Sequence, residues 1–218
     1  MATKFDEAIS TAIDLSERSA ALARNFHAAA VAAAVPEDQT FQLGLAAYQV
    51  SEYEVAENCF RLSHAVAPTA EKAARIGLSA WRRGDLTRAR LALEEANELD
   101  PGGVIRAHTL GTDVGLRSAL AGVELAAGNV GRALSLCNDE LAQRVDATAF
   151  TTRANVKLAQ GDSAAAVADF KQALAASPAL ARPSIARSLA VAESIENAAA
   201  DLVGLVATEA FSIRHWPD

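Results

Sequence analysis

The sequence predicts an all-α protein assembled from repeated helix pairs, and three observations carry that expectation. Hydrophobic residues make up 51% of the 218-residue chain but aromatics only 5%, so the apolar mass is mainly Ala, Leu and Val. Ala and Leu are strong helix formers, and small side chains let helices approach closely. The glycines and prolines fall mostly where a helix has to stop, and one layout of small residues and a turn recurs four times along the chain, three of the copies closing on a proline. Alternating runs of β-branched and aromatic residues, the mark of strands, are missing at useful length.

From the start of the chain, residues 1–36 place Phe5, Ile9, Ile13, Leu22 and Phe26 at helical spacing. This predicts capping helices or a degenerate repeat, since the turn signature is missing. The first copy, about 37–68, reads Leu43-Gly44, Tyr48, Ser51-Glu52-Tyr53, Ala56, Phe60 and a closing Pro68. The second, about 70–101, reads Ile76-Gly77, Trp81, Gly84-Asp85-Leu86, Ala89, Leu93, Ala96 and Pro101, 33 residues beyond Pro68. An insertion at 102–111 then lengthens the step by about ten residues. It reads either as a loop on one face or as an extended linker or longer start to the next helix.

The third copy, about 114–145, carries Leu120-Ala121, Gly128-Asn129, Ala133 and Cys137, with Val145 where the others close on Pro. The fourth, about 147–178, carries Ala154, Gly161-Asp162, Ala166, Phe170 and Pro178. In the turns at Gly84-Asp85, Gly128-Asn129 and Gly161-Asp162, Gly supplies the left-handed backbone that ends one helix, and Asp or Asn can cap the next. Gly44, Gly77, Ala121 and Ala154 sit where helices cross closely, as do Ala56, Ala89, Ala133 and Ala166. Phe60, Leu93, Cys137 and Phe170 fill the space toward the following repeat. Residues 179–218 continue with Ile185, Leu189, Val191, Leu202, Leu205, Val206 and Phe211 on an apolar helical face. That face serves as a C-terminal cap or, through the tail from Phe211 to Trp216, as a homodimer contact.

From Glu37 to Pro178 these motifs resemble the tetratricopeptide-repeat family, whose unit is roughly 34 residues. The resemblance implies a right-handed α-solenoid of about four helix pairs with helical caps at both ends. It also implies a protein-binding adaptor or scaffold whose first helices line a concave groove for a peptide or protein segment. Mapped by helical phase, it places Phe41, Leu45, Tyr48, Gln49, Arg75, Leu78, Trp81 and Arg82 on that groove. From the later copies it adds Ser118, Gly122, Leu125, Thr151, Asn155 and Leu158. Tyr48, Trp81 and Arg82 stand out, because aromatic and Arg side chains dominate binding hot spots. Yet Tyr48 and Trp81 occupy corresponding points of two repeats, so packing between repeats explains them as well. An acidic or C-terminal carboxylate could pair with Arg75 or Arg82. One subgroup of the family clamps acidic chaperone tails with Lys and Asn. Here Asn155 has a suitable phase, but Phe41, Ala74 and Thr151 stand where the Lys partners would be, which argues against that ligand.

The formal net charge of −7 and the scattered basic residues, densest at Arg82-Arg83, argue against nucleic acid as a partner. Cys59 and Cys137 have no metal-ligand or disulfide spacing and read as buried thiols on packing faces. No nucleophile elbow, phosphate loop or paired-His metal motif occurs, so neither an enzyme nor a cofactor or metal is expected. His27, His64, His108 and His215 lie far apart, and Glu94-Glu95 and Asp139-Glu140 read as solvated helix surface. The acidic N-terminus lacks the basic region of a signal peptide, and the Ala-rich run from Ala28 to Val35 is too short to span a bilayer. A cytoplasmic protein without membrane insertion is expected. Self-assembly through the C-terminal helix, and a sensor closing on a small ligand or peptide, are the alternatives to the adaptor.

Overall fold

The computed structural model describes residues 21, 24–25, 37–106, 113–179 and 182–213, and for 201–213 the backbone alone. The side chains expected to form the N-terminal helices (Phe5, Ile9, Ile13, Leu22, Phe26) and the apolar tail (Leu202, Leu205, Val206, Phe211, Trp216) lie outside the described residues. Among the described residues the structure is almost wholly helical, and it divides into two compact units, Met1–Ile105 and Arg106–Asp218.

In the first unit, α1 (Glu37–Gln49) pairs with α2 (Tyr53–Val66), and α3 (Ala70–Arg82) with α4 (Leu86–Leu99). Each first helix packs against its partner, and α2 packs on α3 as well. Small residues set these distances. A Cβ at Gly44 would stand 2.7 Å from the Phe60 ring, and one at Gly77 would stand 2.7 Å from Leu93 Cγ and 3.0 Å from the Ala89 carbonyl. Phe60 and Leu93 are fully buried in the space so created, each worth about 1.5–3 kcal/mol of apolar burial. Helix ends follow the turn chemistry. Thr69 and Asp85 cap α3 and α4, their side-chain oxygens accepting from Lys72 N at 3.3 Å and Arg88 N at 3.0 Å. Pro68 and Pro101 each lie two residues beyond the last helical residue.

In the second unit, α5 (Leu116–Ala126) pairs with α6 (Val130–Leu141), α7 (Ala147–Ala159) with α8 (Ser163–Ala176), and α9 (Arg182–Ile213) packs along α8. Ile185 and Ala192 of α9 are buried against the cluster around Phe170, with Leu189 at its margin. Asp146 caps α7 by accepting from Ala149 N at 2.9 Å, and also accepts from Gly115 N at 3.0 Å. Asp162 caps α8. Asn129 departs from the expectation of a cap. Its side chain makes no capping bond and instead donates to Glu124 Oε2 at 2.6 Å. In place of a closing proline, α6 stops at Leu141 and the chain turns through Ala142–Arg144.

The described parts of the insertion are not helical. Pro101-Gly102 forms a turn, Val104–Ile105 and Val114–Gly115 are extended, and residues 107–112 lie outside the described residues. Ile105 anchors its segment with 2% exposure.

Candidate interaction surface

Of the groove residues expected in the first unit, the structure brings Tyr48 and Arg82 together. Arg82 Nε donates to the Tyr48 hydroxyl at 3.3 Å, joining the last turns of α1 and α3. The Tyr48 ring meets the Tyr53 ring edge-on, centroids 5.2 Å apart. Arg82 is exposed, and among the described residues no carboxylate pairs with it. The hydrogen bond to Tyr48 and the charge environment of both tyrosines raise its pKa further, so it stays a cation. Trp81 and Leu78 are half-buried and Gln49 is exposed.

Other expected residues serve packing. Phe41 stacks at a tilt on Phe60, ring centroids 5.4 Å apart, and Leu45 lines the same core cluster with the body of Tyr48. Both contacts of Tyr48 lie within the unit: its ring packs on the core, and its hydroxyl accepts from Arg82. Arg75 is only 6% exposed and lies 3.6 Å from Glu71. Burial lowers its pKa against the opposing pull of Glu71 and Tyr48, and it presents little surface to a partner.

In the second unit, Ser118 is 1% exposed, and Thr151 uses its hydroxyl to donate to Ala147 O at 2.8 Å. Gly122 and Leu125 are half-buried. Asn155 and Leu158 border an open recess of about 220 Å³ that Phe170 and, from α9, Arg187, Ser188 and Val191 also line.

The sequence reading missed a recess of about 730 Å³ in the first unit, on the side of the second helices. Its walls are α2 and α4, with Leu62, Ala65, Leu91 and Ala92 as apolar lining and Ile76 beneath. His64 Nε2 donates to Glu95 Oε1 across it at 3.1 Å, because a carboxylate can only accept. Apolar residues at Leu62, Val66, Leu91 and Leu99, off the core phase of both helices, were the available signal. Glu140 corrects the expectation of solvated helix carboxylates. It is fully buried, and Arg144 pairs with it one turn on. Glu57 and Asp169 are likewise buried, held by Arg83 and Arg88, and by Arg153 and Lys157. His27, His108 and His215 lie outside the described residues.

The tetratricopeptide-repeat family model matches residues 147–180, the pair α7–α8 with its closing segment. A tetratricopeptide-repeat protein of Parabacteroides merdae superposes with a TM-score of 0.60 over 86% of this chain and 68% of its own, at 17% identity. A thermophilic protein of the same kind from Thermus thermophilus gives 0.61 over 85% and 94%, at 15% identity. The fold is that of a tetratricopeptide-repeat protein. PilF of Pseudomonas aeruginosa is also similar, with a TM-score of 0.60 over 74% of this chain and 69% of its own, at 19% identity. At such identities the likeness is one of fold. No curated protein sequence matches the chain.

The tetratricopeptide-repeat fold is in general a protein-interaction module. Among the described residues no three His, Cys, Asp or Glu side chains stand close enough to share a metal, and no helix is long and apolar enough to cross a membrane.

Proposed function

We propose that this chain is a protein-binding scaffold or adaptor, and that the first-helix face of its first unit takes a peptide or protein segment bearing a carboxylate. One observation carries the reading: the Tyr48–Arg82 bridge. It holds an exposed guanidinium, unneutralised by any described carboxylate, beside Tyr53 and near the half-buried Trp81 on the same helix. Aromatic and Arg groups held rigidly at one place make contact at low entropic cost, and a guanidinium meets a carboxylate bidentately. Both tyrosines of the chain and one of its two tryptophans lie at this end of the unit.

The test is quantitative capture from native lysate with wild type and with a Trp81→Ala/Arg82→Glu variant of unchanged circular dichroism. Arg75 is left intact because its burial would confound the result. A partner retained by wild type and lost by the variant supports the reading; equal capture by both removes it. A second reading, self-assembly through the C-terminal helix, is favoured by Val191 and Ile195 of α9, which stand 54% and 47% exposed one turn apart. A strict monomer by light scattering at high concentration would eliminate it.

A further inference from the structure

The outer groove of the first unit differs from the matching face of the second. With Gly84 set on Gly128 and Gly161, the outward positions Leu91, Glu95 and Leu99 of α4 correspond to Ser135, Asp139 and Gln143 on and just beyond α6, and to Ala168, Gln172 and Ala176 of α8. On α2 the same positions are Asn58, Leu62 and Val66. The repeat therefore tolerates polar and small residues on this face, as its second unit shows. In the first unit it nevertheless exposes Leu62 by 44%, Val66 by 73%, Leu91 by 58% and Leu99 by 49%. Folding gains little from apolar side chains left in water, so packing among the described residues of the unit does not account for them.

The groove also carries charged groups. Of its lining groups, Arg88 is held by Glu57 at 2.8 Å, and Glu95 by His64 at 3.1 Å. Arg61 is exposed at the rim, and no described carboxylate pairs with it. The α4 wall of the groove runs from Arg88 to Glu95, roughly 10 Å at 1.5 Å per residue. That length matches the i to i+7 apolar stripe of a docked helix.

We infer that the groove between α2 and α4 is a second docking site, taking an amphipathic helix of a partner protein that sets apolar residues against Leu62 and Leu91 and a carboxylate against Arg61. The site is separate from Tyr48 and Arg82, so the two surfaces can be lost independently.

The probe is a displayed library of helix-forming peptides, about 15 residues long, the length at which an isolated helix becomes marginally stable. It is selected on the full chain. Enriched peptides should carry apolar residues at i, i+3 or i+4 and i+7, with Asp or Glu beside them. Their affinity should fall about tenfold or more with Leu91→Glu or Leu62→Gln. Arg61→Glu should switch preference from the acidic peptide to its Lys analogue, while Trp81→Ala/Arg82→Glu should leave binding intact. Circular dichroism and thermal midpoints confirm that each variant is folded. No enrichment, or enriched peptides indifferent to all three groove substitutions, would overturn the inference. So would a dimer in sedimentation equilibrium that Leu91→Glu dissociates, which would assign the groove to a second copy of this chain.

Discussion

Ser51 holds the same left-handed backbone as Gly84, 33 residues further on, with φ of 64° against 84°. Gly128 and Gly161 adopt it at the two later turns. The turn between paired helices thus demands positive φ in every copy, and only the first meets it with a residue that has a Cβ. That conformation costs an L-residue roughly 1–2 kcal/mol. Ser51→Gly should therefore raise stability by about 1 kcal/mol, read as a higher denaturation midpoint. Gly84→Ala meets no atom within 4 Å, so its loss, on the order of 1 kcal/mol, is purely conformational.

Gly77→Ala tests the crossing of α3 and α4. In an open helix the change would gain about 1 kcal/mol of propensity. Here the new Cβ meets Leu93 Cγ at 2.7 Å and the Ala89 carbonyl at 3.0 Å, and a backbone oxygen yields less than a side-chain end. Overpacking of this kind costs roughly 1–3 kcal/mol. A net loss of stability is expected on urea unfolding. The matching positions Ala121 and Ala154 already carry the methyl and are fully buried.

Asp169 should govern part of the acid stability of the second unit. Burial pushes its pKa up, but Arg153 at 2.7 Å and Lys157 at 2.8 Å together hold it below the ordinary 3.8. A depressed folded-state pKa adds stability that is fully present above the unfolded value and is lost as pH falls through the folded one. The dependence on Asp169 therefore lies below about pH 4. Asp169→Asn leaves two cations facing a neutral amide. It should cost about 2–4 kcal/mol at neutral pH and flatten the stability curve over that acid range. Unfolding measured against pH reads both effects.

Cys59 and Cys137 are fully buried, and burial raises their thiol pKa to about 11 and about 12. A thiol reagent at pH 8 should modify neither in the folded protein and both after denaturation, since the thiolate is the reactive form. Rapid modification of either in the native state would mean that its helix pair opens locally.

Much of this architecture was legible because the repeat imposes strict local demands. Gly84, Gly128 and Gly161 announced turns that need positive φ, and Phe60, Leu93, Cys137 and Phe170 announced the spaces between helices. Ser51 obeys the same demand without the residue that signals it. Glu140 was misread because burial of a carboxylate depends on tertiary approach. It is Gly115, far away in sequence, whose lack of a Cβ makes room for it: a Cβ there would stand 2.1 Å from Glu140 Oε1. Arg75 lies deeper than its helical phase suggests for a related reason. Helical phase gives direction from the axis, but not how deep the neighbouring helix lies. The outer groove was missed because a search keyed to the repeat's core positions passes over apolar residues on the opposite face.

The measurement that bears most directly on the scaffold reading places a photo-crosslinking amino acid at Gln49, exposed beside Tyr48, and in parallel at Asp139, exposed on a second helix. Irradiation in native lysate, followed by mass spectrometry, should yield a partner joined at position 49 and absent at 139, with the product lost on Arg82→Glu. A product of equal yield at both positions, or one at position 49 unaffected by Arg82→Glu, would contradict the assignment of this face as the binding surface.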